Sequence, residues 1–93
     1  MKNSVWDLAG KTALITGSTY GIGWAIAEEM AKLGANILIV SRTKEKVKHC
    51  VELLVEMGVK ANGYVADLST DEGRKSLFGD LIKTHKKLDI LVN

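Results

Sequence analysis

The chain has 93 residues, with 13 basic and 11 acidic side chains and a formal net charge of +2. This length allows one domain at most, and for many α/β architectures only part of one. Apolar residues make up 46% of the chain and charged residues 26%, which is an ordinary globular composition and argues against disorder. The excess of basic residues is small and scattered, so it does not indicate nucleic-acid binding.

The cysteine content and the apolar runs bear on the compartment. The single cysteine, Cys50, cannot form an internal disulfide, so a reducing compartment such as the cytoplasm is expected. The segment Met1–Asp7 has no apolar run after its lysine, and purely apolar runs such as Ile37–Val40 are far shorter than the ~20 residues of a membrane span. We therefore expect neither a signal peptide nor a transmembrane segment.

Strand-like and helix-like blocks alternate along the chain. Apolar β-branched runs that end at polar or glycine residues predict strands, and apolar residues repeating at steps of three and four predict helices. In chain order the pattern predicts a strand over Thr12–Thr16, a helix over Gly21–Leu33 stopped by Gly34, a strand over Asn36–Val40, a helix capped by Thr43 that ends before Gly58, a weaker strand over Lys60–Val65, a helix capped by Ser69 or Thr70, and a strand over Leu88–Val92.

The helical repeats also predict which side chains face the sheet. Cys50 lies on the apolar face of its helix and is expected in the core. Trp24 is expected on the helix exterior or in a subunit contact. In the first helix the apolar residues that recur at helical spacing are Ile22, Ile26, Met30 and Leu33, and the predicted inner face of the third helix is Leu77, Phe78, Leu81 and Ile82.

The order of elements, βαβαβαβ, predicts the topology. Each crossover contains a helix, so neighbouring strands should be parallel and each connection right-handed. The expected fold is a three-layer α/β structure, a partial Rossmann fold, whose parallel sheet of about four strands has the order 3-2-1-4. The first two helices should cover one face of the sheet, and the third should cover part of the other.

A glycine-rich turn joins the first strand to the first helix. Gly17 allows a tight turn, Gly21 lets backbone N–H groups approach a pyrophosphate, and Gly23 lets helix and sheet pack closely. The first turn of the helix would hold the anion, with Ser18 and Thr19 as hydroxyl donors. The alternative is a glycine turn that only folds the chain.

The pattern Thr-Gly-x-x-x-Gly-Ile-Gly at residues 16–23 resembles the short-chain dehydrogenase/reductase family, in particular its tropinone-reductase-like and carbonyl-reductase-like branches. Three further stretches fit: Gly10–Ile15 as the opening strand, Asp67-Leu68 after the third strand, and Leu88–Asn93 running into an Asn-Asn-Ala-Gly motif. The resemblance implies that Asp67 and the backbone of Leu68 recognise adenine, although Asp67 could instead only turn the chain. The cofactor-binding residues so implied are Gly17, Ser18, Thr19, Tyr20, Gly21, Ile22, Gly23, Ser41, Arg42, Thr43, Asp67, Leu68 and Asn93.

The end of the second strand indicates which nicotinamide cofactor is bound. An acidic residue there would favour NAD(H), but this chain has Ser41 and Arg42, which suit a 2′-phosphate and predict NADP(H). The lysines at 44, 46 and 48 either add to this phosphate site or form a solvated face. Many NADP-preferring relatives carry a second basic residue where Tyr20 stands, which is a departure from the pattern.

The catalytic residues that the resemblance implies, a Tyr-x-x-x-Lys pair and a serine, are not recognisable. Trp24 follows Tyr20 by four residues, and Leu68 follows Tyr64 by four. Residues 1–93 are therefore expected to be the truncated N-terminal half of a Rossmann dinucleotide-binding domain. The parent would be an oxidoreductase acting on a small carbonyl or alcohol and forming a homo-oligomer, without nucleic-acid or membrane partners. The alternative is a non-catalytic nucleotide-binding or interaction module.

Overall fold

The computed structural model describes residues 7–17, 21–84 and 88–92, in which strands and helices alternate. The alternation follows the sequence prediction. The second strand is one residue longer than predicted, the third and fourth strands begin one and two residues later, and the first helix ends one residue earlier. The elements are β1 (Thr12–Thr16), α1 (Gly21–Lys32), β2 (Asn36–Ser41), α2 (Lys44–Glu56), β3 (Ala61–Val65), α3 (Asp71–Thr84) and β4 (Ile90–Val92).

The strands form one parallel sheet in the order β3-β2-β1-β4, which confirms the predicted partial Rossmann topology. The central strands β1 and β2 are apolar on both faces, and Ile15 lies beside Ile39 across their shared ladder. Strands of this composition need cover on both sides, which the helices supply. At its start, β4 is held to β1 because the backbone N–H of Thr12 donates to the Asp89 carboxylate at 2.9 Å.

Helices α1 and α2 cover one face of the sheet, as predicted. Cys50 is 4% exposed in this layer, which confirms its core position. The first helix turns out to bury its alanines, Ala27 and Ala31, because small side chains let it lie close to the strands. Ile22, the first residue of the apolar repeat, is 80% exposed and does not join this core. Trp24 is half-buried and packs against the core, so it does not lie on the helix exterior, and the predicted subunit contact stays a prediction.

Helix α3 covers part of the opposite face through a narrow contact. Leu77 and Leu81 pack there against side chains of β1 and β2. The predicted inward positions of Phe78 and Ile82 are wrong, because these side chains are 52% and 75% exposed. Each lies one residue beyond a buried leucine and is therefore rotated by about 100° from the stripe that contacts the sheet.

Glycines and a threonine fix how the helices meet the sheet. Strand β3 continues through Gly63, where a Cβ atom would lie 2.3 Å from Val47 Cγ1, so α2 packs directly onto the β3 backbone. Of the two predicted caps of α3, Thr70 is the one used: its hydroxyl accepts from the backbone N–H of Gly73 at 2.9 Å. Gly34 follows α1 with a φ of +99°, as predicted for a helix stop.

Within the described ranges, no helix has the length and apolarity to cross a bilayer.

Candidate functional site

A cleft of about 660 Å³ opens at the carboxyl ends of β1, β2 and β3. In open α/β sheets, ligands bind outside the carboxyl ends of the strands, so this is the position where a ligand site is expected. Most of its lining comes from the residues that immediately follow these strands. The cleft is therefore built from three segments that are far apart in the sequence and adjacent in the sheet.

The pairing of β2 with β3 brings two oppositely charged side chains to this cleft. The backbone N–H of Ala66 donates to the carbonyl of Ser41 at 3.0 Å, which extends the ladder to the last residue of β2. Arg42 and Asp67 are the next residues on the two strands, and both line the cleft. The sequence predicted both as site residues, and the structure brings them together.

The Asp67 carboxylate is held in place by Ser69. Its Oδ1 atom accepts hydrogen bonds from the Ser69 hydroxyl at 2.6 Å and from the Ser69 backbone N–H at 3.0 Å. These two bonds, with the nearby Arg42 guanidinium, hold the pKa of the Asp67 carboxyl below its usual range. Asp67 thus turns the chain before α3, as one sequence interpretation had it, and also lines the cleft, as the other required.

The first turn of α3 lies directly against the backbone of Asp67. A Cβ atom at Gly73 would lie 1.8 Å from the Asp67 carbonyl oxygen, so only glycine fits there. The Thr70 hydroxyl donates to the same oxygen at 3.1 Å, and Arg74 Nη1 donates to the carbonyl of Leu68 at 2.8 Å. Sequence reasoning missed Gly73 and Arg74, although a glycine in the first turn of a helix is a signal for close backbone packing.

The end of β2 and the start of α2 form one wall of the cleft, which contributes hydroxyl and ammonium groups. Thr43 stands at the N-cap position as predicted, but its side chain makes no capping hydrogen bond and lines the cleft. The Ser41 hydroxyl also lines the cleft and lies within 3.5 Å of the Thr43 backbone N–H. Of the three lysines at the start of α2, only Lys46 lines the cleft, a distinction that the sequence prediction left open.

The glycine-rich turn is described only at its two ends. Gly17 follows β1 with a φ of +60° and lines the cleft, and a Cβ atom there would have no described atom within 4 Å. Gly21 begins α1 with a φ of +60°, but Gly21, Ile22 and Gly23 are not part of the cleft lining. The predicted site residues Ser18, Thr19, Tyr20 and Asn93 lie outside the described residues.

The arrangement suits an anionic ligand that also offers hydrogen-bond donors. Arg42, Lys46, Ser41 and Thr43 line the cleft from the end of β2 and the start of α2, and Asp67 lines it from the segment after β3. In the described part of the chain, no group of three or more His, Cys, Asp or Glu side chains is placed to hold a metal ion.

Comparison with known proteins agrees with the fold. A tropinone reductase homolog from Datura stramonium is 40% identical over 89 residues, which are 95% of this chain and 33% of the relative. L-Sorbose reductase from Gluconobacter frateurii, solved with NADPH and L-sorbose, superimposes with a TM-score of 0.89 at 38% identity over 95% of this chain and 34% of its own. A metagenomic short-chain oxidoreductase solved with NADP gives a TM-score of 0.84 at 31% identity over 90% and 38% of the two chains.

The chain spans about a third of the length of the curated relatives that it matches. The family model for short chain dehydrogenases matches residues 11–93, which include the glycine-rich turn and every element of the sheet. This chain belongs to the short-chain dehydrogenase family, as its sequence motifs predicted.

Proposed function

We propose that residues 1–93 form the N-terminal half of a Rossmann dinucleotide-binding domain and bind NADP(H). The enzyme to which they contribute would reduce a carbonyl, or oxidise an alcohol, of a small molecule by hydride transfer. One observation carries the proposal: Arg42 and Asp67 are brought together at the carboxyl ends of β2 and β3, in a cleft of about 660 Å³. The nicotinamide of a bound cofactor would donate the hydride in the reduction or accept it in the oxidation, and this chain would hold and orient the adenosine half.

The preference for NADP(H) rests on the residues after β2. A guanidinium offers a fork of N–H donors that matches the oxygens of a ribose 2′-phosphate, and the hydroxyls of Ser41 and Thr43 add donors on the same wall. An acidic side chain at the end of this strand would repel that phosphate and favour NAD(H), but the chain has none there. The NADPH and NADP named for the two structural neighbours support the same cofactor.

The opposite wall would recognise the adenine ring. The Asp67 carboxylate is an acceptor for the exocyclic amino group, and the backbone of Leu68 supplies the next contact. Both residues line the cleft, and the bonds made by Ser69 and Arg74 hold them in place. A preorganised acceptor reduces the entropy lost on binding.

The diphosphate would lie on the glycine-rich turn. No described atom would lie within 4 Å of a Cβ at Gly17, and the N–H groups of the first turn of α1, which have no partner within the helix, would provide donors for an anion. The remaining proposed contacts come from the rest of the turn and the end of β4, namely Ser18, Thr19, Tyr20, Gly21, Ile22, Gly23 and Asn93.

Cofactor titration of the chain and of Arg42→Ala tests the proposal. Loss of the guanidinium should weaken NADPH binding by about tenfold or more, because charge-assisted hydrogen bonds are worth about 1.5–3 kcal/mol. Binding of NADH should change less than about twofold. Arg42→Lys, which retains the charge without the fork, should fall between the two.

Lys75→Ala is the control, since this exposed lysine of α3 does not line the cleft. Its cofactor affinities should match those of the unsubstituted chain. Equal losses of NADPH and NADH affinity in Arg42→Ala would contradict the assignment of the 2′-phosphate to Arg42. Failure of the folded chain to bind either cofactor would contradict the proposed function itself.

A further inference from the structure

We propose that Lys46 is a second specificity-determining cation, which contacts the 2′-phosphate of NADP(H) together with Arg42. The inference rests on the proposed function and extends it to a residue of α2 that the cofactor argument did not need. It also separates the three lysines at the start of this helix, of which one would act on the ligand and two would not.

The geometry of α2 sets Lys46 apart from its neighbours. An α-helix turns by about 100° per residue, so residues two positions apart point about 200° apart. Lys44 and Lys48 therefore share one flank of α2, and Lys46 lies on the other. Val47, Cys50 and Leu54 fix the buried side of the helix, and the flank of Lys46 is the one that lines the cleft.

The charges in the cleft give the second cation a role. Three charged side chains line the described cleft: Arg42, Lys46 and Asp67. Arg42 interacts electrostatically with Asp67, so part of its charge is offset by the carboxylate on the facing wall. Lys46 brings a second positive charge to this lining, which favours a phosphate monoester that carries about −1.5 to −2 at neutral pH.

The two cations would divide the recognition by their chemistry. The planar guanidinium of Arg42 fixes the orientation of the phosphate through paired hydrogen bonds. The ammonium of Lys46 acts as a point charge on a flexible stem, one helical turn further along the chain. NAD(H) carries a hydroxyl in place of this phosphate, so removal of Lys46 should affect one cofactor and spare the other.

The test compares Lys46→Gln with the matched variants Lys44→Gln and Lys48→Gln, each titrated with NADPH and with NADH. All three lysines are exposed and each variant removes the same charge from the same helix, so far-UV circular dichroism should show that every variant folds. Lys46→Gln should weaken NADPH binding about fivefold at low salt, as for a partly exposed ion pair of about 1 kcal/mol. Its NADH affinity, and both affinities of the other two variants, should change less than about twofold.

Lys46→Arg should restore NADPH binding, since it retains the positive charge. Equal NADPH losses in all three glutamine variants would show a general effect of charge and overturn the inference. An equal loss of NADPH and NADH affinity in Lys46→Gln would overturn it as well. These outcomes leave the proposed function standing as long as Arg42→Ala still changes the cofactor preference, whereas an absence of NADPH binding to the unsubstituted chain would contradict both.

Discussion

At the residue scale, the two carboxylate oxygens of Asp67 differ in their hydrogen bonding. Oδ1 accepts both hydrogen bonds from Ser69, one from the hydroxyl and one from the backbone. The other oxygen, Oδ2, is therefore the atom that we expect to accept a hydrogen bond from a ligand. The Ser69 bonds fix the direction of Oδ2, so Ser69 acts as a positioning residue for this contact.

Ser69→Ala should raise the pKa of the Asp67 carboxyl, because the side-chain hydrogen bond is the largest cause of its lowered value. A carboxyl with a lowered pKa stabilises the folded state at pH values above its unfolded-state pKa of about 4. This stabilisation is lost as the pH falls through the folded-state pKa. The variant should therefore show a weaker loss of stability on acidification. An NMR titration of the carboxyl measures the shift, with Ser76→Ala on the exposed side of α3 as control. An unchanged pKa would contradict the role given to Ser69.

Two charged residues that the sequence identified, Arg42 and Asp67, follow the ends of neighbouring strands. Arg42 and Asp67 could be predicted because a strand end in a parallel sheet opens onto the ligand edge. For Lys46 the sequence left two interpretations open, and the site roles of Ser69 and Gly73 could not be predicted, because they depend on which flank of a helix faces the cleft and on how closely two backbones approach. Those are distances that an apolar repeat does not encode.

At the element scale, α3 shows where the pattern of apolar residues fails. Leu77, Phe78, Leu81 and Ile82 form two adjacent stripes, and both looked equally suitable for the core. Only the leucine stripe is buried against the sheet, where it packs with Leu14, Leu38 and Val40. To choose between two adjacent stripes, one must know how the helix is rotated about its axis. That rotation depends on tertiary packing.

Leu81→Ala and Ile82→Ala form a matched pair on α3 that tests this rotation. Leu81→Ala removes a buried side chain and should lower the free energy of unfolding by about 2–5 kcal/mol. Ile82→Ala should change it by less than about 0.5 kcal/mol, since the side chain is exposed and alanine favours the helix. Urea denaturation measures both. Equal destabilisation by the two variants would mean that α3 is rotated relative to the structure described.

At the scale of the whole molecule, the sheet separates two cores that must form together. Side chains of β1 and β2 alternate between them, with Ile15 and Ile39 on the side of α1 and α2 and Leu14 and Leu38 on the side of α3. The strand order could be predicted because helical crossovers make parallel neighbours with right-handed connections. A chain of this size buries only about 60–65% of its unfolded surface, so we expect a small margin of stability.

The rate at which Cys50 is alkylated reports the stability of the folded chain. Burial, with a smaller effect from Glu28, raises the pKa of the Cys50 thiol, and its exposed fraction is 4%. Iodoacetamide should therefore react slowly with the folded chain and rapidly in urea. NADPH should slow the reaction further in proportion to its occupancy, because a ligand of the folded state reduces opening.

The raised pKa of the Cys50 thiol also predicts that the stability of the folded chain declines as the pH rises above about 8.5.

The controls for the alkylation experiment follow from the site. NADPH should give no protection in urea, and it should protect Arg42→Ala less than the unsubstituted chain at the same concentration. Rapid alkylation of the folded chain in the absence of urea would show that α2 does not bury Cys50 as described.

The contact between Gly63 and α2 has a consequence for cofactor engineering. Any side chain at Gly63 would push against Val47 and Val51, two β-branched residues with little freedom to rearrange, and would lift the helix off the strand. Lys46 precedes Val47, so its ammonium would move outward with the helix. The discrimination between two dinucleotides would then be tunable from the edge of the sheet, by altering an uncharged position that does not line the cleft.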